Sequence, residues 1–293
     1  MEKIQITEDI LKRLNCIHAN ENMLFRMSNG DILKILSPSY IAAFNQCTGN
    51  CMEDKILNAK EVSGVLEIIV PKSAMYFGNR FIGYTMEGAV GQSYLDYTKN
   101  FTIDKQEDLY NYAEMYSAIE KPVRKARNVV FPDLCTCDNI FISQNSEGYR
   151  VQFIDYDGLQ VGDQRSFCIS SALGEPRDFA NKKYLDHNML FTKELDKKSL
   201  IHLYFLSAFH IDLTQVNKFH PEINGYVTLD DVFSSIHLDD WDVMDKVYKA
   251  MQDKGTNEYL GDDVFRLADT YQMHAFCVPG RTGQYFKVLE KKT

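Results

Sequence analysis

Apolar and polar positions alternate in short blocks between residues 129 and 158. Apolar runs at 129–131 and 139–142 precede a polar turn at 145–148, and a third run follows at 151–154. Each run is β-branched or aromatic and is bounded by turn formers, the pattern of short strands and a hairpin. Asp133, Asn139 and Asp155 fall where these strands give way to loops. Such positions hold polar groups on a rigid base while leaving them open to solvent.

The stretch from 5 to 36 predicts a small antiparallel sheet with an irregular first part. Its clearest unit is a hairpin, M-L-F-R-M then S-N-G-D then I-L-K-I-L, with Asn29 and Gly30 supplying the positive φ angles of a two-residue turn. Strand alternation puts Ile32, Lys34 and Leu36 on one face and Leu33 and Ile35 on the other. A lysine among aliphatics has two readings: an edge-strand charge that discourages aggregation, or a cation held over the inner face to meet a phosphate or carboxylate.

Residues 38–66 predict helix, with Pro38 near the start and Met52, Ile56 and Leu57 forming an apolar stripe. Glu53 and Glu61 on this segment are the candidates to meet Lys34. Two more strands follow, I-I-V-P-K-S-A-M-Y and R-F-I-G-Y-T-M-E, joined at Gly78-Asn79, for a sheet of about five strands. The glycine-punctuated stretch from Glu87 to Gly91 suits a hinge.

Beyond residue 104 the pattern turns mostly helical. Leu109, Tyr112, Ala113 and Tyr116 recur at helical spacing up to about Pro122, a stripe read as core rather than as a ligand box. Residues 159–190 carry little periodicity, and so long an irregular stretch is usually functional or mobile. An apolar helix is expected over 196–209, and further helices at 229–236, 240–253 and 258–275 would form a cap.

The 293 residues suffice for one large domain or for two lobes with separate cores. With 45% hydrophobic and 25% charged residues the chain is an ordinary globular protein. A net charge of −9 argues against a general nucleic-acid or anionic-membrane binder. No apolar stretch approaches the roughly 18 residues of a membrane span, and the start lacks a basic-then-apolar leader. A cytoplasmic location with neither membrane nor nucleic acid as partner is the expectation. The seven cysteines are expected to be reduced, mostly buried thiols. Neither Cys47 and Cys51 nor Cys135 and Cys137 have the C-x-x-C spacing of a zinc knuckle.

A small sheet carrying a lysine, a helix with a glutamate, a hinge, and then a helical part containing Asp, Asn and Asp on a hairpin is an order of parts that resembles the protein-kinase-like superfamily. Within it the chain looks more like divergent bacterial and phage kinase-like proteins than like eukaryotic kinases. F-P-D-L-C-T-C-D-N-I-F-I stands where such kinases have H-R-D-L-x-x-x-N, and F-I-D-Y-D-G stands where they have D-F-G. I-L-K-I-L resembles the strand bearing their ATP lysine. T-K-E-L-D-K-K-S-L-I-H-L-Y resembles the buried helix whose aspartate braces the catalytic loop.

The resemblance implies an α+β, bilobal kinase-like fold, with an N-lobe over 1–87 and a mainly helical C-lobe over 88–293. It implies a transfer of the γ-phosphate of ATP, with Mg2+, to a hydroxyl, foremost that of a protein Ser or Thr. Lys34 would pair with the α/β-phosphates and be oriented by a helix glutamate, Glu53 being favoured over Glu61. Asp133 would accept or orient the proton of the attacking hydroxyl. Asn139 and Asp155 would hold magnesium; two carboxylates and an amide oxygen are the hard donors that suit this ion plus one base. Met86, Glu87 and Gly88 would line the adenine side of the hinge. Asp196 would hold the backbone near 131–133.

Several positions depart from the family pattern. Phe131 and Pro132 replace the His and Arg of H-R-D, and Cys135 stands where protein kinases carry Lys. Asp133 and Asn139 are six positions apart where five is usual, so either the loop bulges or Asp138 takes the metal-ligand role. Residues 17–25 contain no glycine, whereas a G-x-G-x-x-G loop brings backbone N–H groups to the phosphates. These departures keep two alternatives open: a pseudokinase that binds nucleotide or docks a partner, and a small-molecule kinase of the aminoglycoside or choline type. Another nucleotide transfer, such as adenylylation, is a further alternative.

Overall fold

A computed structural model describes residues 1–19, 22–62, 67–100, 106–134, 137–168 and 184–209, with four short strands beyond them. The fold is mixed α+β, with an N-terminal region that is mostly sheet. Six strands, β1 (Glu2–Gln5), β2 (Asn15–Ala19), β3 (Met23–Arg26), β4 (Ile32–Ile35), β5 (Pro71–Phe77) and β6 (Arg80–Met86), lie in the order β1-β5-β6-β4-β3-β2. All neighbours are antiparallel except β1, which runs parallel to β5. The sheet thus has one strand more than the hydrophobic pattern suggests. The irregular first part of the chain also contains a helix, α1 (Glu8–Arg13), capped by the Thr7 side chain on the Ile10 N–H.

The β3–β4 hairpin forms as expected, but its connection is longer than two residues. Met27 donates to the Asp31 carbonyl at 2.8 Å, closing a loop in which Gly30 takes a φ of 88°. This is the three-residue hairpin pattern with a left-handed glycine at its end. β4 is flanked by β3 and β6, so Lys34 is not on an edge strand, and the anti-aggregation reading falls. The alternation is as expected: Ile32 and Leu36 join the main core, whereas Leu33 packs in a second cluster with Ile6 and Met75.

Two helices follow the lysine strand in place of one run. α2 (Pro38–Thr48) starts with Ser37 capping the Tyr40 N–H and stops at the left-handed Gly49. It buries Tyr40, Phe44 and Thr48, an i, i+4 face. α3 (Met52–Leu57) is short and turns Met52, Lys55 and Ile56 inward.

Beyond Met86 the chain leaves the sheet through Gly88, passing close enough to the β3–β4 loop that a Cβ there would stand 3.2 Å from the Gly30 carbonyl. It then forms β7 (Gln92–Ser93), α4 (Tyr94–Asn100) and α5 (Gln106–Lys125). Tyr112, Ala113 and Tyr116 of α5 are buried, as the core reading requires, and both tyrosine hydroxyls donate to backbone carbonyls of the later helix α6 (Lys193–Phe209). Between α5 and α6 come β8 (Val129–Val130), β9 (Ile140–Asn145), β10 (Gly148–Phe153) and β11 (Gln160–Val161). β9 and β10 are the expected hairpin.

One buried apolar cluster runs from Ile32 in the sheet to Tyr204 in α6. Backbone bonds between residues 67–69 and Phe153 stitch the two regions together. A smaller, separate cluster on the other face of the sheet holds Ile6, Leu33 and Met75.

The remaining strands are β12 (Phe219–His220), β13 (Gly225–Tyr226), β14 (Tyr271–Cys277) and β15 (Tyr285–Lys291). β14 replaces the end of the helix expected over 258–275: its Y-Q-M-H-A-F-C sequence pairs antiparallel with β15. The helices expected at 229–236 and 240–253, and the middle of segment 159–190, lie outside the described residues. No helix among the described residues is long and apolar enough to cross a membrane. Of the five cysteines whose side chains are described, Cys16, Cys47 and Cys51 are exposed, Cys168 is half-buried and Cys137 is buried, so the expectation of mostly buried thiols is not met among them.

Candidate active site

β4 places Lys34 on the inner face of the sheet, 6% exposed. Its cross-strand neighbour on β6 is Tyr84. Strand alternation turns both side chains toward a turn that follows β10, where the sequence D-Y-D-G makes a single 3-10 turn, Tyr156–Gly158. Asp155 enters that turn with a φ of 66°, a left-handed conformation uncommon for a residue with a Cβ.

The lysine meets both aspartates of this turn. Its ammonium donates to Asp155 Oδ1 and, at 2.8 Å, to Asp157 Oδ1. Asp157 is wholly buried and also accepts from the hydroxyls of Tyr84 and Tyr40, the latter at 3.0 Å on Oδ2. Burial opposes ionisation of Asp157, yet Lys34 and the two tyrosine hydroxyls hold its carboxyl below the usual range. The same burial pulls the lysine down, but two carboxylates outweigh it and hold the ammonium protonated well above its ordinary value. Asp155, partly open to solvent, has its carboxyl pushed up to about 6, first by desolvation and then by the neighbouring Asp157 charge.

A second lysine supports the turn from behind. Lys55 of α3, 1% exposed, donates to the carbonyls of Asp157 at 2.8 Å, Leu159 at 2.5 Å and Arg165 at 3.2 Å. It also sits over the Phe44 ring. Burial lowers its pKa to about 8.

Asp133, Asn139 and Asp155 line one small pocket with Phe131, Phe153 and Gly158. Gly158 is there because a Cβ would stand 2.8 Å from Asp155 Oδ2 and 3.4 Å from Asp133 Oδ2, so the two carboxylates face the same narrow space. Asp133 has its carboxyl raised, chiefly by burial. It accepts a hydrogen bond from the Cys168 thiol at 2.9 Å. Asp138 is exposed and does not line the pocket, whereas Asn139 does. Just ahead of them Cys137 is buried at a φ of 67°, the kink that carries the chain to Asn139. Asn139 itself accepts at its carbonyl from the Ile154 N–H, tying the loop to the strand that leads to Asp155. Asp196 of α6 holds the Phe131 N–H at 2.7 Å, the bracing role expected for it.

The expected Lys34–Glu53 pair does not form. Glu53 lies instead against the Tyr76 hydroxyl, with Lys3 at 3.5 Å, because the inward positions of α3 belong to Met52, Lys55 and Ile56. Asp157 takes the place facing Lys34, and the side chain of Glu61 lies outside the described residues. Met86 is buried at the end of β6, Glu87 is exposed and Gly88 is half-buried, all away from the Asp133–Asp155 pocket lining.

Sequence reasoning missed Asp157, Tyr40, Tyr84 and Lys55. For Asp157 the signal was present in the repeated aspartate of D-Y-D-G. Lys55 offered a weaker one, since it shares the α3 face of Met52 and Ile56. Among the described residues no three His, Cys, Asp or Glu side chains gather in a metal-holding cluster. Comparison with models of known protein families and with curated proteins finds no match.

Proposed function

We propose that the protein is an ATP- and Mg2+-dependent phosphotransferase of a bilobal, kinase-like kind, acting on a hydroxyl and foremost on a protein Ser or Thr. The observation that carries the reading is the convergence of Lys34, Asp155 and Asp133 at one turn, with Asn139 lining the same pocket. A triphosphate needs positive charge placed in advance, and preorganised charge is typically the largest catalytic contribution. Lys34 is such a charge, fixed by a buried carboxylate and shared with Asp155, which faces the pocket.

Asn139 and Asp155 are hard oxygen donors that fit magnesium, with phosphate and water completing its coordination. The bound ion would supply charge neutralisation of the phosphates. Asp133 would orient the attacking hydroxyl and take its proton, and burial, by raising its carboxyl pKa, makes it a stronger base than an exposed aspartate. Asp157, Tyr40 and Tyr84 would position Lys34 rather than touch nucleotide.

The test is incubation with γ-labelled ATP and magnesium, comparing wild type with Asp133→Ala and Asp155→Ala. Label transfer or ATP turnover in wild type alone supports the reading. Wild type no better than the variants sinks it.

A second reading, a nucleotide-binding module without transfer, is favoured by the glycine-free β2–β3 region and by the engagement of Lys34 with both aspartates. Thermal stabilisation by ATP without turnover would support it. The gain follows RT ln(1 + [L]/Kd), about 2.7 kcal/mol at a hundredfold excess over Kd.

A further inference from the structure

We infer that the slot filled by Phe167 and Cys168 is the acceptor subsite, and that residues 166–168 lie in it as a built-in pseudosubstrate, the Cys168 thiol standing where an acceptor hydroxyl would be activated. The inference rests on the phosphotransferase reading and deepens it.

The thiol donates to Asp133 Oδ1 at 2.9 Å. That is the contact a serine or threonine hydroxyl must make with a general base before it attacks. Cysteine and serine each present one proton donor beyond a single methylene. Burial and the adjacent Asp133 charge keep the thiol protonated, so it remains a donor.

The segment is seated by more than this bond. The Ser166 hydroxyl donates to the Gly158 carbonyl at 2.6 Å and accepts from the Cys168 N–H at 3.1 Å. The Phe167 ring lies 5.1 Å from the Tyr40 ring and 6.4 Å from that of Phe44. Lys55 holds the preceding Arg165 carbonyl. A slot with an aromatic wall immediately before the base selects a hydroxyl residue preceded by a large apolar one. The substrate class is therefore a peptide segment of the form aromatic–Ser/Thr, and the protein rests closed to it until 166–168 withdraws.

Cys168→Ser turns the pseudosubstrate into a substrate. With ATP and magnesium, the hydroxyl oxygen introduced by this substitution forms a bond to the γ-phosphorus as the bond from that phosphorus to ADP breaks, and the hydroxyl proton passes to Asp133. The expected result is phosphate on residue 168 by tandem mass spectrometry, at a rate independent of protein concentration. Cys168→Ala should raise severalfold the phosphorylation of the decapeptide D-Q-R-S-F-S-I-S-S-A at the serine after Phe, and replacing that Phe by Ala should abolish the gain.

One readout does not depend on turnover. Alkylation of Cys168 by iodoacetamide should be severalfold faster in Asp133→Asn than in wild type, while that of exposed Cys47 stays the same. Equal Cys168 rates overturn the inference. So do a Cys168→Ser protein that gains no phosphate at position 168 and an unimproved Cys168→Ala, where wild type turns over ATP; that result leaves the phosphotransferase reading standing. Absence of ATP binding and turnover in every variant overturns both.

Discussion

The ammonium of Lys34 lies 2.8 Å from the carboxylate of Asp157, and neither residue is more than 6% exposed. The pair closes a wall between the middle of the sheet and the turn that carries Asp155. Because Tyr40 and Tyr84 fill further hydrogen-bonding sites of Asp157, the carboxylate is held from α2, β4 and β6 at once. Breaking a buried pair by removing one partner costs about 3–5 kcal/mol, since the other charge is left uncompensated.

Asp157→Ala should therefore unfold at a clearly lower urea concentration than wild type, with a loss of about 3–5 kcal/mol. Asp157→Asn should lose less, because the amide oxygen still accepts from a tyrosine. If ATP binding needs Lys34 held in place, it too should weaken in both variants. An unchanged midpoint in Asp157→Ala would show that the pair contributes no net stability.

Lys34→Met removes the charge that two aspartates share. The loss of stability should match or exceed that of Asp157→Ala, because both carboxylates then lie near one another without the ammonium they share. Binding and turnover must therefore be compared well below the variant's melting temperature. A Lys34→Met protein that melts with wild type would mean that the aspartates take up protons without cost.

The strands and the hairpin that carry the candidate site were legible because each relies on neighbours in sequence: β3 with β4, β5 with β6, β9 with β10. Asp133, Asn139 and Asp155 could be singled out because turn residues bounded their strands. What escaped was set by contacts between distant segments. β1 has an ordinary alternating pattern, but its partner β5 begins some 70 residues later and runs parallel, which no turn announces. α1 has its Thr cap and correctly signed end charges, yet six residues are too few for a periodicity to stand out. Glu53 is the expected partner of Lys34 because the kinase-like resemblance implies a helix glutamate there. The phase of α3 decided otherwise, and that phase follows from burying Met52 and Ile56. The end of the helix expected over 258–275 falls on β14, whose apolar positions fit either period over so short a span.

Lys55→Met should separate packing from hydrogen bonding. Methionine fills a similar volume without the cost of a buried ammonium, but it leaves three carbonyls that accepted from Lys55 without that donor. An unsatisfied buried polar group costs about 1–3 kcal/mol, so a net loss of stability is expected despite the gain in desolvation. Hydrogen exchange at the Leu159 and Arg165 amides should quicken more than at β3 amides. Uniform quickening would instead indicate general destabilisation without a role in fixing this segment.

Gly83 opposes Ile35 on β4, and a Cβ at its φ of 153° would stand 2.0 Å from the Lys34 carbonyl oxygen. Backbone cannot yield as a side chain end can, so Gly83→Ala should push β4 from β6 and disturb Lys34 directly. Destabilisation beyond the ~1 kcal/mol at which point-mutant losses centre is expected in chemical denaturation. Gly148→Ala is the control: its φ of 112° is also unfavourable, but nothing stands within 4 Å of the added carbon. Equal losses in the two variants would assign the effect to backbone strain rather than to the close approach.

Acidity should act through Asp155 and Asp157 with opposite signs. Asp155 is raised to about 6 by desolvation and by Asp157, against an ordinary value near ~3.9. The folded state therefore binds more protons than the unfolded one between those values, and the Asp155 contribution to stability falls as pH rises through that window. Asp157 is lowered, so its contribution is fully present above the ordinary carboxylate value and is lost as pH falls through its depressed folded value. On the phosphotransferase reading, magnesium-dependent ATP binding would need Asp155 ionised and should strengthen as pH rises through about 6. Thermal-shift titrations with ATP and magnesium, run at constant ionic strength from about pH 5 to about pH 8, read this directly. The rise should vanish in Asp155→Asn, which cannot ionise, and persist in Glu53→Gln, whose carboxylate lies on Tyr76 and Lys3. Wild-type binding that stays level across the range would show that ionisation of Asp155 does not limit it.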